Sequence, residues 1–383
     1  MNGLTRRGFL GAAGGMAAAA CAPAAGPGGQ TGGEQAGGAP WELEWNELVA
    51  AAKKEGQLLL VTTVGAGYRE AVQDFERIFP GISVELTSLQ ASAFAPKALQ
   101  ERKGSIYSYD AITTTYGTVP LTMIPDGAMD PIKPLLFRPD VLDDKVWRDG
   151  FDAGWLDRDK QWGYAGFQVK SRHFWINTDI VKEGEITKPE DLLNPKWKGQ
   201  IWGADPRTHG GGWWPGTIMR LTMGEDFVKR LWGEMGMTFS RENRQLAENM
   251  FKGRYAFGVG AMIEGVTPEF FSIGLGKNLK HVELVLPDGR AVTDHLNAGS
   301  DVAYVFNRAP HPNAAKLFVN WELTKEGQTL WSKYAENNSR RLDVPAGQPE
   351  RQPTPRVKYI QLDNQEMQPE WVKTMEIAKA VLN

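Results

Sequence analysis

From Trp41 onward, short apolar runs alternate with stretches whose apolar residues recur every three or four positions. That alternation is the signature of strands and amphipathic helices in turn. Trp41–Glu55 places Leu43, Leu48, Val49 and Ala52 at helical spacing, and Gly56 stops it. Leu58–Thr63 is an apolar strand run that ends in Gly65-Ala66-Gly67. Arg69–Ile78 returns to helix, with Val72, Phe75 and Ile78 on one face and Pro80-Gly81 closing it. Ile82–Leu86 predicts a second strand, Ala93–Glu101 a helix and Tyr109–Thr113 a third strand. Such an order predicts an α/β fold with a parallel sheet, its ligand expected at the C-terminal strand ends.

Two longer extended patterns punctuate the middle of the chain, Trp162–Asn177 and Val302–Asn307. Between them the pattern predicts helices over Trp214–Met223, Phe227–Met235 and Asn243–Phe251, and a strand over Ala256–Gly260. Gln348–Arg356 is rich in Pro and Gln and reads as a surface strap. Glu370–Leu382 carries Trp371, Met375, Ala378 and Leu382 on one stripe, as a docked amphipathic helix would.

Residues 1–40 have a different texture and read as an address rather than a fold. Arg6-Arg7 precede a weakly apolar Ala/Gly stretch that runs to Ala20. At roughly a dozen residues that stretch is too short to span a bilayer core, which needs about 20, so it reads as the apolar region of an export signal. The order of features resembles a twin-arginine signal; a general-secretion signal with an incidental arginine pair is the alternative. Ala18-Ala19-Ala20-Cys21 looks like a lipobox, where the cysteine is acylated after cleavage just before it. Acyl chains anchor firmly because each buried CH₂ contributes about 0.8 kcal/mol. Residues 1–20 are thus expected to be signal peptide, and residues 21–40, Gly, Ala, Pro and Gln with one Glu, a flexible tether.

Composition narrows the picture further. At 383 residues the chain is too long for one ordinary core, and two lobes are the default. A net charge of −3 argues against a nucleic-acid partner, which needs a clustered basic face. With Cys21 the sole cysteine, no disulfide can form within the chain and cysteine-based metal sites are excluded. The five histidines show no HExxH-like spacing, and no GxxxxGK loop or GxSxG elbow occurs. No cofactor is implied, and binding is favoured over catalysis.

Three stretches then carry a family resemblance. They are Ala51-Ala52-Lys53-Lys54-Glu55-Gly56 through Phe79-Pro80-Gly81-Ile82; Asp191-Leu192-Leu193-Asn194-Pro195-Lys196-Trp197-Lys198-Gly199; and Pro310-His311-Pro312-Asn313-Ala314-Ala315-Lys316-Leu317-Phe318 with Lys325-Glu326-Gly327-Gln328. In that order they resemble the type II periplasmic-binding-protein superfamily, in its ferric-iron-binding branch. The resemblance implies a two-lobed fold with hinge-crossing strands near Phe167–Ser171 and Asp294–Asn297. Residues 41–167 and 297–335 would form the first lobe, and 168–296 and 336–383 the second. It further implies an exported, monomeric solute-binding protein that hands a small molecule to the permease of an ABC importer. Iron binders of the family use a tyrosine pair where this chain reads Ala261-Met262-Ile263-Glu264-Gly265. Lacking those hard phenolate ligands, the chain is not expected to bind ferric iron in that way, and no metal site is assigned.

The candidate solute-binding residues lie on loops that such a fold aims at its cleft. Asp205–Pro215 is the most suggestive: Gly211 and Gly212 precede a helix, Arg207 lies beside them and Trp213 follows. Glycines there let an anion approach free N–H groups at a helix start, while Trp213 covers an apolar portion. The plain alternative is a loop followed by core tryptophans. Thr63, Gly65, Thr114 and Thr115 sit at strand ends, Arg172 and Asp301 near the crossings, and Glu264 in the loop of the missing tyrosines. Gly-rich loop and arginines together suggest an organic anion; a neutral or cationic solute held by Glu264 and Asp301 is the competing reading.

Overall fold

The computed structural model describes residues 39–65, 67–207, 212–260, 267–299, 301–335 and 337–382. The expectations for the signal segment, Cys21, most of the tether, Gly211 and Glu264 lie outside the described residues.

The chain opens with helix α1 (Pro40–Glu55), strand β1 (Gln57–Thr62), α2 (Tyr68–Ile78), β2 (Ser83–Ser88), α3 (Ala91–Lys103) and β3 (Ala111–Thr114). Gly56, at φ +76°, takes the left-handed turn that lets α1 reverse into β1. After short β4 (Met129–Asp130) and one-turn α4 (Pro139–Leu142), the long extended pattern resolves into β5 (Tyr164–Ala165), β6 (Val169–Arg172) and β7 (Phe174–Asn177). Next come β8 (Ile201–Ala204), α5 (Trp213–Met223), α6 (Glu225–Glu234), β9 (Thr238–Ser240), α7 (Asn243–Phe251) and β10 (Phe257–Val259). The remaining elements are α8 (Thr267–Ser272), β11 (Leu279–His281), β12 (Asp294–Asn297), β13 (Val302–Phe306), α9 (Pro312–Glu322), α10 (Lys325–Tyr334) and α11 (Gln368–Val381).

These strands make two sheets and a ribbon. The first sheet has the order β2-β1-β3-β13-β4, with β5 also on β13. It is mixed rather than wholly parallel. β1, β2 and β3 run parallel, Gln57 opposite Ser83 and Leu60 opposite Ala111, but β13 enters antiparallel with Val302 opposite Thr114. All five residues of β13 are buried, as a central strand covered on both faces requires. The second sheet has the order β11-β7-β10-β8-β9. β6 and β12 form the separate antiparallel ribbon, Asp294 opposite Arg172 and Asn297 opposite Val169. The two expected crossings therefore pair with each other. The single extended run Trp162–Asn177 thus holds three strands: β5 on the first sheet, β6 in the ribbon and, once the chain leaves the ribbon at His173, β7 in the second sheet.

Each sheet carries its own core. Phe75, Trp147, Phe318, Trp321 and Trp331 pack under the first, and Phe174, Trp197, Leu231 and Phe257 under the second. A small cluster of Trp213, Trp371 and Met375, with Tyr116 and Trp214 at its margin, joins α5 to α11 and to the segment after β3. The strap after α10 reaches back to the first sheet's side: Arg340 N–H donates to Gly166 O at 2.8 Å, and the Arg341 guanidinium to Asp140 O and Leu323 O. No described helix is long and apolar enough to cross a membrane.

Candidate functional site

The C-terminal ends of β2, β3 and β8 deliver three segments to one place: the start of α3, the loop Tyr116–Thr122 and the start of α5. Together with Trp371 of α11 and Asp363 before it, they enclose a cavity of about 780 Å³. On the α3 side the wall is Ser92, Ala95, Pro96, Leu99 and Gln100. Pro96 lies inside α3 and has no N–H, so the Ser92 carbonyl lacks its helical donor.

The opposite wall is aromatic. Tyr116 meets the edge of Trp371 at 6.4 Å between ring centroids, Trp371 lies 4.8 Å from Trp213, and Trp213 lies 5.3 Å from Trp214. Trp214 in turn leans on two stacked imidazoles, His173 and His295, whose rings are 4.9 Å apart and nearly parallel. Nε2 of His173 shares a 2.9 Å hydrogen bond with Nδ1 of His295. Burial drives His173 down to about 3 and His295 well below its ordinary range, so both are neutral bases at neutral pH. One of them sits where the chain leaves the ribbon and the other in β12, which puts the aromatic wall directly on the crossing strands.

Asp363 is the acidic group of the wall. Its Oδ2 accepts the Ala298 N–H at 2.6 Å, and its Oδ1 accepts the Gln361 side-chain amide. Burial nevertheless pushes its carboxyl up to about 7, because lost hydration outweighs these bonds. Tyr116 accepts a hydrogen bond from Gln368 at 3.3 Å, and burial raises its phenol far above the usual range. Among the described residues lining the cavity, the charged side chains are Asp363 and Lys103, the latter exposed.

Of the residues singled out from sequence, Trp213 lines this cavity. Gly212 precedes it as the N-cap of α5, yet its smallness answers to packing: a Cβ would sit 2.4 Å from Ala204 O. Thr63 is buried after β1 and its hydroxyl donates to Gln90 at 3.3 Å. Gly65 is exposed beyond it; Thr114 is buried at the end of β3 and Thr115 exposed, just before the wall residue Tyr116. Asp301 is sealed beneath the end of β3, accepting from the Asn337 amide, and burial raises it to about 6. Arg172 stacks over Trp175 at 5.3 Å. Arg207 grips Asp205 through Nε at 2.9 Å and Nη2 at 3.2 Å, and also donates to Leu382 O. Burial opposes ionisation of Asp205, but the Arg207 hydrogen bonds outweigh it and hold that carboxyl low. Neither arginine is among the described wall residues. Sequence reasoning did not single out Asp363 and Trp371 as site residues; Trp371 had been visible on the stripe of the last helix, with nothing local to say what that stripe faces.

Two sheets with separate cores, a two-stranded crossing ribbon and a cavity at the strand ends define a two-lobed periplasmic-type binding protein. Solved structures share the fold. The iron-bound HitA of Pseudomonas aeruginosa aligns with a TM-score of 0.57 at 16% identity, over 85% of this chain and 99% of its own. The Trichodesmium protein IdiA (FutA), solved with iron and citrate, aligns at 0.64 and 15% over 85% and 99%. A ferric binding protein of Bordetella aligns at 0.62 and 18% over 85% and 98%. An uncharacterized protein of Haemophilus influenzae is 28% identical over 173 residues, 43% of this chain and 46% of that relative's length. The chain thus spans about half the length of the curated relative it matches. The family profile of bacterial extracellular solute-binding proteins matches residues 61–329, and the chain belongs to that family. That family is one of extracellular solute-binding proteins, not of enzymes.

Proposed function

We propose that this protein captures one small solute in the cavity between α3, α5 and α11 and delivers it to an ABC permease. The observation that carries the reading is the cavity itself: about 780 Å³, at the strand ends, walled from both sheets' sides and resting on the crossing ribbon. Its size lies within the range of ordinary small-molecule sites, roughly 300–1,000 Å³. The lobes are residues 41–167 with 297–335, and 168–296 with 336–383, the stretch around Arg340 and Arg341 lying against the first. Export by the Arg6-Arg7 signal, acylation of Cys21 and a tether to residue 40 complete the proposal, with the body acting as a monomer at the outer face of the cytoplasmic membrane or in the periplasm. Native mass spectrometry of protein purified with its cargo tests capture, and a mass equal to the bare chain under all growth conditions would count against it. Cys21→Ser should release the protein from membranes with its fold intact; retention after a salt wash would end the anchor reading.

The iron-bound neighbours support a second reading, ferric iron as cargo. Against it stands Ala261-Met262 where the family's tyrosine pair is expected, and no cluster of three His, Cys, Asp or Glu suited to a metal occurs among the described residues. Mixed with ferric citrate, the protein should develop no tyrosinate-to-iron absorption band. An organic anion, suggested by Arg172, Arg207 and the glycine loop, keeps less support: both arginines have other partners, and most of that loop lies outside the described residues.

A further inference from the structure

We propose that the solute is an organic cation, an ammonium or quaternary ammonium head on an apolar body. This rests on the reading of the cavity as the solute site and deepens it.

Three independent features of the wall point the same way. The first is the ring array. Tyr116, Trp213, Trp214 and Trp371 belong to three separate segments of the chain, yet they converge on one side of the cavity. Aromatic faces carry negative quadrupole density and attract a desolvated cation, whereas they repel an anion. The second is Asp363, the buried acid of the described wall, held in place by the Ala298 N–H and the Gln361 amide. These amide donors fix its orientation without neutralising it, and no described basic side chain is paired with it. A buried carboxyl with no cation beside it is disfavoured in its charged form, and an arriving ammonium supplies the missing partner. The third is the backbone. Pro96 has no N–H, so within α3 the carbonyl of the wall residue Ser92 lacks its helical donor and is left as an acceptor. Lys103, exposed, stands apart from the buried acid in burial as well as in charge. The remainder of the α3 wall, Ala95, Pro96 and Leu99, suits an apolar body.

Protonation adds a consequence. The groups that face Asp363 are the Ala298 N–H, Gln361 and the phenols of Tyr116 and Tyr304, and Asp157 faces the same two phenols. Both phenols are held neutral by burial, so Asp363 is the group that titrates near neutrality. Cation affinity should then fall as pH drops below about 7 and level off above it.

The test uses three matched probes on the full folded body: benzyltrimethylammonium, its uncharged carbon isostere neopentylbenzene, and the anion phenylacetate. Calorimetry and tryptophan emission report binding, with Asp363→Asn and Trp214→Ala as variants, each first shown to unfold as cooperatively as the parent. Benzyltrimethylammonium should bind roughly tenfold or more tightly than neopentylbenzene, from the ring array and the carboxylate together. Asp363→Asn should reduce that preference to the part the ring array supplies and erase its pH dependence, while leaving neopentylbenzene unchanged. Equal or tighter binding of neopentylbenzene or phenylacetate that is weakened by Trp214→Ala would overturn the cation assignment and leave the cavity as the solute site. Binding of any probe that ignores both substitutions, or no binding of any of the three, would overturn the cation assignment and the cavity reading together.

Discussion

Asp363 shows how a single residue can serve a site at a cost to the fold. Its carboxyl is raised by burial to about 7, against an ordinary value near 4 in the unfolded chain. The protonated form is therefore favoured in the native state, so its contribution is fully present below about pH 4 and is lost as pH rises toward about 7. Asp301, raised to about 6, acts in the same direction over a narrower window. Asp363→Asn keeps an acceptor for the Ala298 N–H but cannot ionise. Urea titrations should show the variant more stable than the parent at pH 8 by roughly 2 kcal/mol or more, and close to it at pH 4.5. A gap that stays constant with pH would mean that Asp363 is not the titrating group. The histidine pair works in the opposite sense: neutral in the fold, it makes stability fall as pH drops below about 6.5. None of this was legible in the sequence. Asp363 sits in Gln361-Leu362-Asp363-Asn364, a polar stretch like many surface turns, and only its tertiary neighbours bury it. Trp213 was legible because a Trp beside a glycine loop at a helix start is unusual locally.

The crossing ribbon is the element on which any lobe movement depends, and a buried ion pair anchors it. Lys170 of β6 lies 3.3 Å from Glu283, and both side chains are largely buried. Glu283 also accepts from the Thr354 hydroxyl at 2.7 Å and from the Tyr359 phenol, both on the strap that follows α10. Burial works against its ionisation, yet the Tyr359, Thr354 and Lys170 contacts together keep it ionised and below its ordinary range. Lys170→Met leaves that carboxylate buried with hydroxyl donors but no counter-charge. Removing one partner of such a pair costs about 3 kcal/mol, whereas replacing both is often close to neutral. Lys170→Met should therefore lower unfolding free energy by about that amount in urea titrations, and adding Glu283→Gln should restore most of it. If the double variant is no better than the single one, the pair does not anchor the ribbon. The crossings near Phe167–Ser171 and Asp294–Asn297 followed from the family resemblance and not from an apolar pattern, for β6 reads Val-Lys-Ser-Arg and β12 Asp-His-Leu-Asn. The sequence did not show that the extended run Trp162–Asn177 would split at His173, since a strand that changes sheets leaves no mark on its own periodicity.

At the scale of the whole molecule, the α/β alternation fixed the first three strands and their helices from Leu58 to Thr113, because each unit is local. Sheet order was another matter: β13 slots between β3 and β4 from nearly two hundred residues away, and only the return crossing brings it there. The cavity is a shared property of both sheets. α3 and Tyr116 extend from the first sheet, while Trp213 and Trp214 extend from the second, and Trp214 rests on the histidines of the crossing strands. A solute that touches both walls stabilises whichever arrangement brings them together, so binding and closure are one equilibrium. The bound protein should accordingly show a smaller radius of gyration in solution scattering than the ligand-free protein. Tryptophan emission should change in the same titration, because Trp213, Trp214 and Trp371 form part of the wall. Unfolding free energy should rise by about 2.7 kcal/mol at a hundred times the dissociation constant, the increment expected of any ligand that binds only the folded chain. The three readouts separate two situations that affinity alone cannot. A tight solute that raises stability and shifts emission but leaves the radius unchanged would bind one wall of a rigid cavity. A shift in all three, abolished in radius but not in stability by Trp214→Ala, would identify Trp214 as the link between the cavity and the crossing strands.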